Sequence, residues 1–331
     1  MNVMPLTAKD FTTDQEVRWC PGCGDYAILK GVRTALATIG RPPHEVVFIS
    51  GIGCAARFPY YIASYGFHTI HGRAPAVATG VKLANPSLDV WVVGGDGDFL
   101  SIGGNHLLHV LRRDVDLNLL LLNNAIYGLT KGQYSPTSPI GTRSPSSPGG
   151  SVERPVNAAL FALGSGASFV ARSVDSMQDH MPGILVRAHA HKGASLVEIL
   201  QNCIIYHDGA FGPLGEKATA AEAGIRLVHG EPMLFGKNKE KGLVFDADTS
   251  RFRVVGVGTE VPLEAVARHD ETNLSRAIAL ANLGGAGEPT ALGVLYARTA
   301  DGGPAGFADL QPTPAMTRDQ LASLLSPRSA E

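Results

Sequence analysis

Residues 90–98 read Val-Trp-Val-Val-Gly-Gly-Asp-Gly-Asp, and their reading decides the fold. An unbroken apolar run empties straight into a glycine-rich acidic turn. A strand buried on one face alternates apolar and polar residues, whereas a strand buried on both reads as a continuous apolar run. The pattern recurs outward in both directions. Val46 to Ser50 empties into Gly51-Ile52-Gly53-Cys54, and Leu117 to Leu122 empties into Asn123-Asn124. Further on, Ser168 to Val174 and Ser195 to Leu200 read as strands, with Cys203 just past the second. Helical patterns lie between them. Asp25 to Ile39 carries Ile28, Val32, Leu36 and Ile39 at helical spacing, and Pro75 to Leu83, His106 to Arg112 and Asp179 to His191 read alike. The alternation predicts an α/β fold, a parallel sheet covered by helices on both faces. Such sheets bind ligands beyond the carboxyl ends of their strands. Cys54, Asp96, Asn124 and Cys203 are therefore expected on one edge of the sheet.

Composition narrows the class. At 331 residues and 44% hydrophobic, the chain can bury a sizeable core. A net charge of −2 with no Lys/Arg stripe argues against a nucleic-acid partner. Met1 to Asp10 has no basic start followed by an apolar stretch, so no secretory signal is expected. Leu117 to Leu122 is far too short to span a bilayer. The expectation is a cytoplasmic protein with no membrane association. Residues 1–214 carry the motifs. Residues 215–331 carry none, and are expected to form a C-terminal extension, a small α/β appendage. Tyr134 to Pro155, rich in Ser, Pro and Gly, reads either as a mobile linker or as a segment ordered by a partner or cofactor.

Two constellations carry chemistry. Asp96 and Asn124 stand roughly thirty residues apart, the length of a strand–helix–strand crossover. A hard cation such as Mg²⁺ takes oxygen ligands and commonly bridges to phosphate. A carboxylate, an amide oxygen and a loop carbonyl would supply three ligands. Gly-Asp-Gly alone often marks only a turn; the second polar pair after the next strand adds the specificity. The four cysteines are Cys20, Cys23, Cys54 and Cys203. Cys20-Pro-Gly-Cys23 alone fits a redox dithiol, half a zinc site or half an iron–sulfur site. Four thiolates suit tetrahedral zinc or a [4Fe–4S] cluster. Cys54, on the same sheet edge as Asp96 and Asn124, favours the redox centre.

Taken together, the motifs resemble a known family. Trp19-Cys-Pro-Gly-Cys-Gly-Asp25, Gly51-Ile-Gly-Cys54, His71-Gly-Arg73, Gly94-Gly-Asp-Gly-Asp98, Asn123-Asn-Ala-Ile-Tyr-Gly-Leu-Thr130 and Gly132-Gln-Tyr-Ser-Pro-Thr137 occur in that order. The set resembles the beta subunits of the 2-oxoacid:ferredoxin oxidoreductases over about residues 18–214. His229-Gly230 and Met233 to Gly242 resemble the longer beta subunits of two-subunit 2-oxoglutarate enzymes.

The resemblance implies a thiamine diphosphate-binding fold, specifically its diphosphate-binding domain. It implies three cofactors: thiamine diphosphate, Mg²⁺ and a [4Fe–4S] cluster. Asp96, Asn124 and the carbonyl of Ile126 would hold Mg²⁺, and Cys20, Cys23, Cys54 and Cys203 the cluster. Ile52, Gly53, Cys54, Ala55, His71 and Gly72 would line the cofactor, with His71 the one candidate for a catalytic part. Gly97, Asp98, Gly128 and Leu129 would contact the diphosphate, although Asp98 also suits a turn or helix cap. The implied reaction is CoA-dependent oxidative decarboxylation of a 2-oxoacid, 2-oxoglutarate to succinyl-CoA and CO₂ first, with electrons passed to ferredoxin and either direction open. Thiamine also needs a glutamate at its aminopyrimidine ring, which this family carries on an alpha subunit. Activity is thus expected only with that subunit, in a dimer of αβ heterodimers. Three alternatives stay open: pyruvate, a branched-chain 2-oxoacid, or a non-redox thiamine enzyme half with structural zinc.

Overall fold

The computed structural model describes residues 5–298 and 319. Its strands are β1 (Val46–Ser50), β2 (Tyr65–His68), β3 (Asp89–Gly95), β4 (Asn118–Asn123), β5 (Phe169–Val174), β6 (Ser195–Leu200), β7 (Gly224–Arg226), β8 (Leu234–Phe235), β9 (Lys241–Asp246), β10 (Arg251–Gly256) and β11 (Thr290–Ala297). Eight of them form one sheet in the order β2-β1-β3-β4-β6-β5-β11-β7, and β10-β9-β8 form an antiparallel second sheet. From β2 to β5 every pairing is parallel.

Period-two geometry explains the unbroken apolar strands. Val47, Ile49, Val90, Val92, Leu119 and Leu121 join one buried cluster. Their chain neighbours Val46, Phe48, Trp91, Val93, Leu120 and Leu122 join the other. Successive side chains point to opposite faces, so both faces are covered. Helices Ala74–Ala84, Gly104–Arg112, Ala158–Gly164 and Leu274–Ala281 supply the first cluster. Helices Asp25–Ile39 and Met181–Ala190 supply the second through Ile28, Val32, Leu36, Met181 and Leu185. Among the described residues, no helix is long and apolar enough to cross a membrane.

The strand order has a switch point. After β1 the chain leaves for β2 on one side, and after β3 it leaves for β4 on the other. Diverging loops open a crevice at the carboxyl ends of β1 and β3, the usual ligand position in such sheets.

Sequence patterning did not anticipate β2. Its residues Tyr-Gly-Phe-His are all exposed at the sheet edge, so no burial pattern marks them. The segment after residue 214, expected as an appendage, contributes to the main body. β11 pairs antiparallel with β5, and β7 extends the sheet beyond it. Phe235, Leu243 and Phe252 of the small sheet join the same apolar cluster as the core strands. Residues 299–318 and 320–331 of that segment lie outside the described residues.

One ion pair is buried in the sheet. Arg172 on β5 donates through Nε to Glu198 Oε2 on β6 at 2.7 Å. Asn123 Nδ2, on β4, donates to Glu198 Oε1 at 2.8 Å. Breaking such a pair leaves a buried charge uncompensated, whereas replacing both partners by apolar groups is tolerated. Glu198→Ala is expected to destabilise the chain by about 3–5 kcal/mol, and Arg172→Met/Glu198→Leu to recover most of the loss. Denaturant unfolding of the three chains checks this; a Glu198→Ala midpoint at the wild-type value would remove the pair from the stabilising core.

Candidate functional site

The crevice is a cavity of about 480 Å³. Ile52, Gly53, Cys54 and Ala55 line it after β1, Asp96, Gly97 and Asp98 after β3, and Asn124, Ile126, Gly128 and Leu129 after β4. His71, between β2 and the next helix, completes the wall. Of the residues expected here from the sequence, Gly72 alone is absent from the lining; its N–H donates to Asp98 Oδ1 at 2.8 Å. A side chain at Gly97 would strike the Tyr127 ring at 2.2 Å, so glycine there is a packing requirement.

Asp96 is 2% exposed, and burial raises its carboxyl above the ordinary range. The hydroxyls of Ser135 and Thr137 offset this in part. Ser135 Oγ donates to Asp96 Oδ2 at 2.5 Å. Thr137 Oγ1 lies 2.6 Å from the same oxygen and 2.8 Å from Asn123 Oδ1, and shares one proton between them. Asn123 in turn is held by Glu198 and Arg172. A polar chain thus runs from the middle of the sheet to the Asp96 carboxylate. Asn124 Oδ1 accepts the Ile126 N–H at 3.2 Å, which bends the loop so that Ile126 faces the cavity. The donor set is all oxygen, and no cation among the described residues answers the Asp96 charge; both features fit a hard divalent ion. Among the described residues, no group of three or more His, Cys, Asp or Glu could hold a metal ion by itself.

A second cavity, of about 240 Å³, is lined by Cys20, Cys23, Cys54 and Cys203. Asp25, Cys54, Asn124, Gly128, Leu129 and Gln201 line both cavities, so the two share a wall. A Cβ at Gly128 would lie 3.5 Å from Cys54 Sγ and 3.6 Å from Cys203 Sγ. All four thiols are free. Burial pushes the Cys23 thiol far above its ordinary value, and pushes Cys54 up to about 11. Neutral buried thiols are poor nucleophiles, and a bound metal would draw them to thiolates. Four sulfur donors on one cavity are the residue type that an iron–sulfur cluster takes, and among the described residues no three of them are set to hold a single metal ion. Trp19 Nε1 donates to the Cys54 carbonyl at 2.8 Å and fixes that loop.

Several neighbours of these groups went unread in the sequence. Ser135 and Thr137 lie in the stretch read as a linker or partner-ordered segment. That stretch orders itself: Ser135, Ser138, Ser144 and Ser151 are buried, and Ser138 Oγ donates to the Ala125 carbonyl at 2.6 Å. Its small polar residues bond to one another and to the chain, which composition does not reveal. Gln201 Nε2 donates to Cys23 Sγ at 3.3 Å. Asp25 closes the Trp19-to-Asp25 motif and opens the first helix. It is 1% exposed, and neither carboxylate oxygen has a hydrogen bond to nitrogen or oxygen.

Burial, reinforced by Asp175 and partly offset by the Cys23 thiol, pushes the Asp25 carboxyl up to about 7 from an ordinary 3.8. The folded chain therefore holds a proton that the unfolded chain releases between those values. Stability of the cluster-free chain should fall as pH rises from about 4 to about 7, by on the order of 3–4 kcal/mol, and level off above. Asp25→Asn should flatten that slope and stabilise the cluster-free chain at neutral pH. Denaturation midpoints across this range decide it, and an unchanged slope in the variant would show that Asp25 is not the titrating group.

Residues 51–199 match the family model described as the thiamine pyrophosphate enzyme C-terminal TPP binding domain. The 2-oxoglutarate oxidoreductase subunit KorB of Mycobacterium tuberculosis is 57% identical over 236 residues, covering 71% of this chain and 63% of that protein. The 2-oxoacid:ferredoxin oxidoreductase 1 subunit beta of Aeropyrum pernix is 47% identical over 57% of this chain and 60% of its own. The matches thus span less than two thirds of those relatives. The 2-oxoglutarate synthase subunit KorB of Archaeoglobus fulgidus is 43% identical, over 56% of this chain and 69% of its own. A solved structure of 2-oxoglutarate:ferredoxin oxidoreductase from Magnetococcus marinus, with 2-oxoglutarate, coenzyme A and succinyl-CoA bound, superposes with a TM-score of 0.75 at 30% identity, over 98% of both chains. With the parallel sheet, the cavity that holds Asp96 and Asn124 and the cysteine-lined one beside it, these likenesses make the chain a member of the beta-subunit family of the 2-oxoacid:ferredoxin oxidoreductases.

Proposed function

We propose that the chain is the beta half of a cytoplasmic 2-oxoacid:ferredoxin oxidoreductase acting on 2-oxoglutarate and coenzyme A. The carrying observation is the shared wall: Cys54 and Gly128 belong both to the cavity containing Asp96 and Asn124 and to the cavity of four thiols. An electron outlet beside the carbon chemistry is what separates this class from non-redox thiamine enzymes. When bound, thiamine diphosphate supplies the electron sink for decarboxylation, and a [4Fe–4S] cluster supplies a one-electron path toward ferredoxin.

The chain's own residues do the holding. Asp96, Asn124 and the Ile126 carbonyl would hold Mg²⁺, which would neutralise charge on the diphosphate. Ile52, Leu122, Ile126 and Leu129 give the cavity apolar walls that keep water from the reacting centre. Cys20, Cys23, Cys54 and Cys203 hold the cluster. Glu198 is engaged by Arg172 and Asn123, and no glutamate among the described residues lines the cavity. We therefore assign the glutamate at the aminopyrimidine to an alpha subunit, in a dimer of αβ pairs.

Asp96→Ala is expected to weaken Mg²⁺-dependent thiamine diphosphate binding by about a hundredfold, the scale of a lost contact to charge of about 3 kcal/mol. The fold should survive, since removing a buried carboxylate with a raised pKa leaves no charge behind. Calorimetry with and without Mg²⁺ measures this, and unchanged affinity would reject the metal assignment. Cys54→Ser, assayed with the alpha subunit, should lower iron content and acceptor reduction together by at least about tenfold. CO₂ release should fall less, because Asp96 and Asn124 still anchor the cofactor. The wild type should carry four iron per chain on the cluster reading; one zinc, or normal acceptor reduction in Cys54→Ser, would remove the electron outlet from the reading.

A further inference from the structure

One carboxylate joins three loops of the cavity wall. Asp98 follows β3 and is buried. Its Oδ1 accepts the N–H of Ile52, after β1, at 3.1 Å, and the N–H of Gly72, after β2, at 2.8 Å. The same oxygen lies 2.5 Å from His71 Nδ1. An oxygen that already receives two N–H donors has no room for a proton of its own, so the proton of the His71 contact sits on Nδ1. The one polar ring atom left to the cavity that His71 lines is Nε2.

Glycines make this junction. A Cβ on Gly51 would come within 2.0 Å of Asp98 Oδ2. A Cβ on Gly72, whose φ is +70°, would meet the backbone nitrogen of Gly103 at 2.5 Å, and one on Gly103 would meet the Asp98 carbonyl oxygen at 2.4 Å. These three glycines let the loops close around the carboxylate. Asp98 Oδ2 is buried with no hydrogen-bond partner and packs against Gly51. Buried there, it offers no face to a ligand in the cavity.

We propose that Asp98 is a positioning residue and that its side chain is not a ligand of the diphosphate. It holds the loops after β1, β2 and β3 together and fixes the His71 tautomer, so that Nε2 is the atom presented to the cofactor. The inference rests on the thiamine diphosphate reading for what His71 faces, and on geometry alone for how Asp98 holds it.

The test uses the full chain with isotope-labelled histidine and imidazole-nitrogen NMR, with His71→Gln assigning the signal. Without cofactor, wild-type His71 should carry its proton on Nδ1. Asp98→Ala should lose that signature and weaken Mg²⁺–thiamine diphosphate binding about tenfold. Asp98→Asn keeps a side-chain oxygen for the same three donors, and should restore both the Nδ1 proton and most of the affinity. His71→Gln should cost about as much as Asp98→Ala, and Asp98→Ala/His71→Gln no more than either alone, because the two act as one unit. Additive losses in the double variant, or an Nδ1 signature that survives Asp98→Ala, would overturn the proposal. A wild-type chain that does not bind Mg²⁺–thiamine diphosphate would instead sink the cofactor reading, while the tautomer measurement still decides the part played by Asp98.

Discussion

A strand buried on both faces can present chemistry only at its ends. β1, β4 and β6 are buried throughout and β3 up to its half-buried last residue, Gly95, and they run parallel, so their carboxyl ends open on one edge. That constraint brings Gly51 to Ala55, Gly95 to Asp98, Asn123 to Ile126 and Gln201 to Cys203 together. The strand order then divides the edge. Loops after β1 and β3 part company, and the space between them is the larger cavity. Loops after β1, β4 and β6 meet the N-terminal Cys20-Pro-Gly-Cys23 turn, and the space they enclose is the cysteine cavity.

Charge is distributed unevenly through the molecule, and the unevenness marks the site. Inside the sheet the buried charge of Glu198 is paired with Arg172. Around the cavities, Asp98 meets His71, but other acidic groups have no such partner. Asp96 is met only by hydroxyls and backbone, Asp25 by no hydrogen bond to nitrogen or oxygen, and the Cys23 and Cys54 thiols are pushed up by burial. An uncompensated buried acid costs stability. A fold that retains several of them in one place fits ligands that bring positive charge, such as a divalent ion beside a diphosphate and the iron of a cluster.

The support behind the site reaches far into the sheet. Asp96 is oriented by Thr137, Thr137 touches Asn123, and Asn123 is clamped by a glutamate from β6 that an arginine from β5 holds in turn. The C-terminal segment contributes to the same body: β11 flanks β5, and helix Leu274–Ala281 covers the sheet face that carries Leu119 and Leu121.

The sequence by itself determined the layered α/β fold, because apolar runs that end in glycine, acid or amide can only be strands covered on both faces. It also determined which residues reach the ligand edge. Cys54, Asp96, Asn124 and Cys203 were legible at that edge because each follows a strand, whereas Cys20 and Cys23 precede the first helix and no strand places them. Edge strand β2 was not legible, since an exposed strand needs no apolar pattern. Neither was the entry of β11 into the main sheet, since antiparallel insertion depends on which edge is free after folding. Asp25 and Asp98 look alike in the sequence, each an acid beside a glycine at the start of a helical turn. Tertiary structure alone set them apart: it left Asp25 without a hydrogen bond to nitrogen or oxygen between two cavities, and surrounded Asp98 with donors from three loops.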